Sequence, residues 1–130
     1  MNASTHRFPP IAGIVLAIFG ASAVALGAFG AHALRGTLAA QQIEVWHTAV
    51  QYHFWHTLAF ALAAMMRSRL ASWLFGAGVV LFCGSLYALA LGAPNWTGAI
   101  TPLGGVCFIL GWIALGVALT QSRAGKARRD

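Results

Sequence analysis

Eight residues that could carry chemistry fall close together in this chain: His32, Arg35, Glu44, His47, Gln51, Tyr52, His53 and His56. They lie in the stretch Gly27 to Thr57, between two strongly apolar segments. The stretch holds four of the five histidines, and Glu44 is the only acidic residue before the C-terminal Asp130. Imidazole can lock helices by hydrogen bonding, pass protons or bind a metal. The residue types favour the first use, with neutral His, Gln, Thr and Tyr bonding across helices. A proton or small-solute path lined by His32, Glu44, His47, Gln51, His53 and His56 is the main rival.

Metal or haem ligation and catalysis are weaker readings. His53 and His56 are three residues apart, which suits two ligands on one helix face. However, there is no H-E-x-x-H. Glu44-Val-Trp-His47 is a single Glu-x-x-His unit, where a di-metal bundle uses two with further carboxylates. Glu44 is also the one carboxylate a catalyst could draw on, and Ser85 has no base near it in sequence. The expectation is therefore a non-enzyme with no catalytic residue, no metal and no cofactor. Cys83 and Cys107 lie deep in apolar segments and read as small fillers.

The rest of the chain must position these groups, and its composition says in what solvent. Apolar residues make up 59% of the 130 and charged residues 8%. A soluble domain carries about a quarter charged residues, so this chain must present apolar surface to lipid. The net charge is +6, but the basic residues cluster at the ends of apolar runs and form no stripe with interleaved aromatics. Nucleic acid is thereby excluded as a partner. The expected partners are the lipid bilayer and either further copies of the chain or another membrane protein.

A spanning helix needs about 20 apolar residues. Four segments meet that length, at about residues 10–30, 44–66, 70–91 and 102–120, with a basic tail over 121–130. The predicted fold is an all-α integral membrane four-helix bundle forming a single domain. Pro9 and Pro10 open the first segment, Gly92-Ala-Pro94 closes the third, and Thr101-Pro102 reads as an N-cap followed by the first helical position. Gly13, Gly20 and Gly27 recur every seven residues on helix 1, and Gly104 and Gly111 lie on helix 4. These five are assigned to close helix packing. The first segment is too long for a signal-peptide core, and further spans follow it.

With four spans, Arg7, Arg67, Arg69, Arg123, Lys126, Arg128 and Arg129 share one side and Arg35 stands alone on the other. The positive-inside rule makes the crowded side cytoplasmic and places both termini there. Trp46, Trp73 and Trp96 fall near predicted helix ends, as interfacial anchors should. His56 then sits about 18 Å below Glu44 along the helix, near mid-membrane. Glu44, His47, Thr48 and Gln51 form one stripe, and Tyr52, His53, His56 and Thr57 a neighbouring one. Both are expected to point into the bundle. Arg35 and Glu44, each isolated, are expected to pair or share one polar rim.

Gly27-Ala-Phe-Gly-Ala-His-Ala-Leu34, Tyr52-x-x-x-His56, Gly84-Ser-Leu-Tyr87, Thr101-Pro-Leu-Gly-Gly105 and Gly111-Trp112 form a set. In this order the set closely resembles the YgdD family of small multi-pass membrane proteins, which carry a domain of unknown function. The likeness runs from about Ile11 to Leu119. It implies an integral protein of the bacterial inner membrane. It implies no activity, cofactor or residue role.

Overall fold

The computed structural model describes residues 8–127, with side chains as far as Gln121. Four helices account for nearly all of them: α1 Pro10–His32, α2 Ala40–Met65, α3 Arg69–Ala90 and α4 Thr101–Ala127. A short 3-10 helix, Asn95–Ala99, precedes α4. The fold is thus the expected all-α membrane bundle. The last helix continues past its predicted end near residue 120, and Arg7, Arg128 and Arg129 lie outside the described residues.

Local chemistry explains most of the boundaries. Pro10 opens α1, where its missing N–H is one the helix would leave unbonded anyway. The Gln42 side chain accepts from the Ala39 N–H (3.0 Å) at the start of α2. At its end, the N–H of Arg67 bonds to Ala64 and that of Ser68 to Ala63, a Schellman-type stop. Arg67 supplies the left-handed residue, with φ 56°. Ser68 then caps α3 by accepting from the Ala71 N–H, so one short turn ends α2 and starts α3. Gly92, at φ 92°, closes α3.

Helices α2 and α3 form the centre, α1 leans on α2, and α4 leans on α3. The main core joins Ala59, Phe60 and Ala63 of α2 to Phe75, Val79 and Cys83 of α3 and to Phe108 and Leu115 of α4. Phe19 and Leu16 of α1 pack against it. A smaller cluster near the α1–α2 connection holds Leu34, Trp46 and Ala90. The outside is apolar: Ile11, Ile14 and Ile18 of α1 and Leu103, Ile109 and Ile113 of α4 are all exposed. Three stretches, Pro10–His32, Arg69–Ala90 and Asn95–Gln121, are long and apolar enough to cross a membrane by themselves. Helix α2, with 26 residues, is long enough at about 39 Å but carries too many polar groups to qualify on composition.

Helix α3 contains a π-helical turn, Val79–Cys83. Such turns insert an extra residue into the helical ladder. Here the turn carries Phe82, whose backbone comes against Gly104 so closely that a side-chain carbon there would overlap Phe82 N and Cα. Gly111 is similarly close to the Phe75 ring, at 2.8 Å from where its Cβ would be. These two glycines lie where α3 and α4 come closest. The helix 1 glycines make no such close approach within the chain. A Cβ at Gly20 would meet nothing within 4 Å, and at Gly13 and Gly27 it would make ordinary contacts at 3.7 and 3.4 Å. The close approaches that sequence spacing did not indicate are Gly30, filled by the Trp46 indole, and Gly78, filled by the Phe108 ring.

Candidate functional site

The predicted polar cluster divides into an inner and an outer group. His53, His56 and Thr57 are buried and Tyr52 is half-buried. His32, Arg35, Glu44, His47, Thr48 and Gln51 are exposed. The expectation that both stripes of α2 point inward is thus corrected for the Glu44 stripe. The reason is geometric: α1 and α3 meet α2 on the side of Trp46, Ala49, His53 and Phe60, leaving the Glu44 side uncovered. Arg35 and Glu44 share the rim at the α1–α2 end, both exposed, with no hydrogen bond or ion pair between them among the described residues.

The inner group forms a network whose hydrogen-bond directions can be deduced from the partners. The Ser22 hydroxyl donates to the Phe19 carbonyl (3.1 Å), so its oxygen is free to accept from His53 Nε2–H (3.4 Å). His53 Nδ1 must then accept, and the Tyr87 hydroxyl is its donor (3.1 Å). His56 is oriented the other way. Its Nδ1–H donates to the Tyr52 carbonyl (2.8 Å), and its Nε2 accepts from the Trp112 indole N–H (3.3 Å). A carbonyl only accepts and an indole only donates, so one neutral tautomer of His56 fits. The two histidines are therefore held as opposite tautomers, with every ring nitrogen occupied.

Neighbouring contacts close the network. His56 stacks on Phe108 at 3.5 Å between ring centres and on Tyr52 at 5.6 Å. The Thr57 hydroxyl donates to the His53 carbonyl (2.7 Å). One layer away, the Ser85 hydroxyl donates to the Phe82 carbonyl and accepts from the Thr101 hydroxyl (2.6 Å). Thr101 therefore joins α3 to α4, in place of the capping role its sequence suggests. Among the described residues no buried side-chain polar atom lacks a partner. Trp46, expected at the interface, is instead 2% exposed. Its indole N–H donates to the Leu26 carbonyl (2.9 Å), and its ring lies 4.7 Å from that of Tyr87.

An open groove of about 450 Å³ runs between α2 and α4, lined by Trp55, His56, Leu58, Ala59, Leu62 and Trp112. Its walls are apolar and it opens sideways, where lipid lies. Among the described residues no three His, Cys, Asp or Glu side chains converge as a metal site would need. Cys83 and Cys107 are free thiols, Cys83 packed in the core. Tyr87→Phe should remove the donor to His53 and lower stability by about 1 kcal/mol, read as a shift of the thermal midpoint in detergent.

Three contacts join elements of the sequence set: Tyr87 of Gly-Ser-Leu-Tyr meets His53, Ser85 meets Thr101, and Trp112 meets His56. The first element is held from outside the set, where Gly30 seats Trp46. Residues 26–105 match the family model described as "Protein of unknown function (DUF423)". The chain belongs to the DUF423 family. The matched segment contains His53, His56, Ser85, Tyr87, Thr101 and Gly104, while Trp112 lies beyond it. The chain is 48% identical to the UPF0382 membrane protein YwdK of Bacillus subtilis, over 76% of this chain and 87% of that protein. It is 42% identical to the UPF0382 inner membrane protein YgdD of Escherichia coli, over 86% and 92% respectively. A UPF0382 membrane protein of Haemophilus influenzae is also 42% identical, over 85% and 94%. These DUF423 relatives agree with the fold in marking the chain as a bacterial membrane protein. No solved structure matches it.

Proposed function

We propose that this membrane protein is a non-enzymatic accessory or assembly partner, and that its histidines serve as a lock between helices. The observation that carries this reading is the closure of His53 and His56. A proton carrier or a metal ligand needs a ring nitrogen that can be released. The Nε2 partner of His56 is an indole N–H, which cannot accept, so protonating His56 would break that bond without replacing it. The nearby groove offers apolar walls and no polar relay. Glu44, the one carboxylate available for acid–base work among the described residues, stands apart on the rim.

The lock makes a direct prediction. His56→Leu should lower stability by about 2 kcal/mol, because the Trp112 N–H loses its acceptor and the Phe108 ring its stacked partner. Wild type and variant, reconstituted in vesicles with a pH-sensitive dye, should leak protons equally. Unchanged stability with a flux lost in the variant would overturn the lock and favour a transport path. We also propose that both termini are cytoplasmic. Arg67 and Arg69 are exposed in the α2–α3 turn while Arg35 is the lone basic group in the α1–α2 connection. A cysteine replacing Arg35 should react with an impermeant thiol reagent from outside intact cells, and one replacing Arg67 should not.

A further inference from the structure

The uncovered side of α2 carries a pattern that neither the core nor the lock uses. Glu44, Thr48, Gln51, Trp55, Leu58, Leu62 and Met65 are all exposed. Their spacing alternates four and three residues along the whole helix. The positions beside them, Trp46, Ala49, His53, His56, Ala59, Phe60 and Ala63, are buried. The uncovered faces of α1 and α4 repeat in the same way, through Ile11, Ile14, Ile18, Ala21, Ala25 and Ala28 and through Leu103, Val106, Leu110, Ile113 and Val117. What sets the α2 face apart is that its outer half is polar, with Glu44, Thr48 and Gln51.

Gln51 shows that the stripe needs a protein partner. Its depth is set by its neighbours: Val50 lies against Gly27, and His53 bonds to Ser22. Gln51 is therefore level with about residue 25 of α1. On α1 at and above that level Val24, Ala25, Ala28 and Phe29 are exposed apolar residues. Exposed apolar side chains on α1 continue to Phe29, about 6 Å further out. An exposed carboxamide at that depth has neither water nor any lipid group to bond with.

We propose that this stripe of α2 is the interface of a homodimer, with two copies of the chain related by a two-fold axis along the membrane normal. All copies insert with the same orientation, so each residue of the stripe meets its own copy at the same depth. Among the polar residues of the stripe, Gln51 suits this arrangement best. Its amide both donates and accepts, so two facing copies satisfy each other, and one buried polar pair fixes the register of such a helix pair. Below it, the groove beside Trp55, Leu58 and Leu62 gives each copy room for a side chain of the other. The inference rests on this face alone and is independent of the role proposed above.

Single cysteines at Thr48, Trp55, Leu58 and Leu62, with Ile14 and Ile109 as equally exposed controls on α1 and α4, test it in native membranes. Cys83 and Cys107 are first replaced by Ala. Oxidation should join the four α2 positions into a dimer-sized species and leave the two controls as monomers. Energy transfer between labelled copies should be measured in phosphatidylethanolamine/phosphatidylglycerol vesicles at increasing lipid dilution. Gln51→Leu should weaken association by about threefold to tenfold with the thermal midpoint of the monomer unchanged, since Gln51 has no partner within the chain. Equal cross-linking at the controls would overturn the proposal. So would transfer that vanishes on dilution for wild type and variant alike, or cross-links from α2 to a different protein only.

Discussion

Gly104→Ala is expected to cost about 3 kcal/mol or more, the upper end of what overpacking does in a tight core, and to lower the thermal midpoint by roughly 10 °C. The added carbon would meet the backbone nitrogen and Cα of Phe82. Backbone cannot swing aside as a side chain does, so α3 and α4 would have to separate. Separation would also stretch the Ser85–Thr101 bond one turn away and pull Phe108 off Gly78. The same substitution at Gly20 or Gly116 should do the opposite. Nothing lies within 4 Å of a Cβ at either site, and alanine is the better helix former by about 0.5–1 kcal/mol. Three alanine variants that differ only in position should thus fall on both sides of wild type in thermal unfolding. A uniform response would show that α3 and α4 are not held at this distance.

Trp46→Ala is the second large effect, about 3–5 kcal/mol by comparison with other buried aromatic truncations. The side chain is fully enclosed, touches Leu34 and Ala90, and bonds to the Leu26 carbonyl. Its indole also occupies the space left by Gly30. That contact allows a sharper test than truncation alone. Gly30→Ala should be damaging in the wild type, where the new methyl meets the indole Nε1 and Cδ1. Phenylalanine at position 46 lacks Nε1 and the five-membered ring that carries it, so the closer of the two contacts is removed. Gly30→Ala should therefore cost markedly less in a Trp46→Phe background, with a coupling of about 1–2 kcal/mol between the two sites. Additive effects would show that Gly30 and Trp46 do not share that space.

The parts of the fold read correctly from sequence were those that depend on composition and local chemistry. Charge-free runs set by the bilayer thickness placed the four helices, and Pro10 and Gly92 marked their ends. The errors came where two helices must be known at once. The regular spacing of Gly13, Gly20 and Gly27 looks like a packing stripe, yet the glycines that are filled, Gly30 and Gly78, have no periodic signature. What identifies them is an aromatic ring on another helix. Trp46 illustrates the same limit: position near a helix end suggests an interfacial anchor, and only the cover of α1 and α3 makes it core. Within the site, angular spacing correctly separated the Glu44 stripe from the His53 stripe, but spacing on one helix cannot say on which side its neighbours lie. The partners of the histidines were in view all along. Tyr87 and Trp112 are aromatics with polar tips in the middle of apolar helices, where such tips must find a bond.

The tight turn at Arg67 has a bearing on how the chain enters the membrane. Three residues separate α2 from α3, and the turn is closed by its own backbone bonds and the Ser68 cap. By composition helix α2 is not apolar enough to cross a membrane by itself, whereas α3 is. The pair can enter as one preformed hairpin, with α3 shielding His53 and His56 during transfer. Synthesis would then have to reach about Ala90 before α2 becomes stable in the bilayer, so the second span is committed only after the third has emerged.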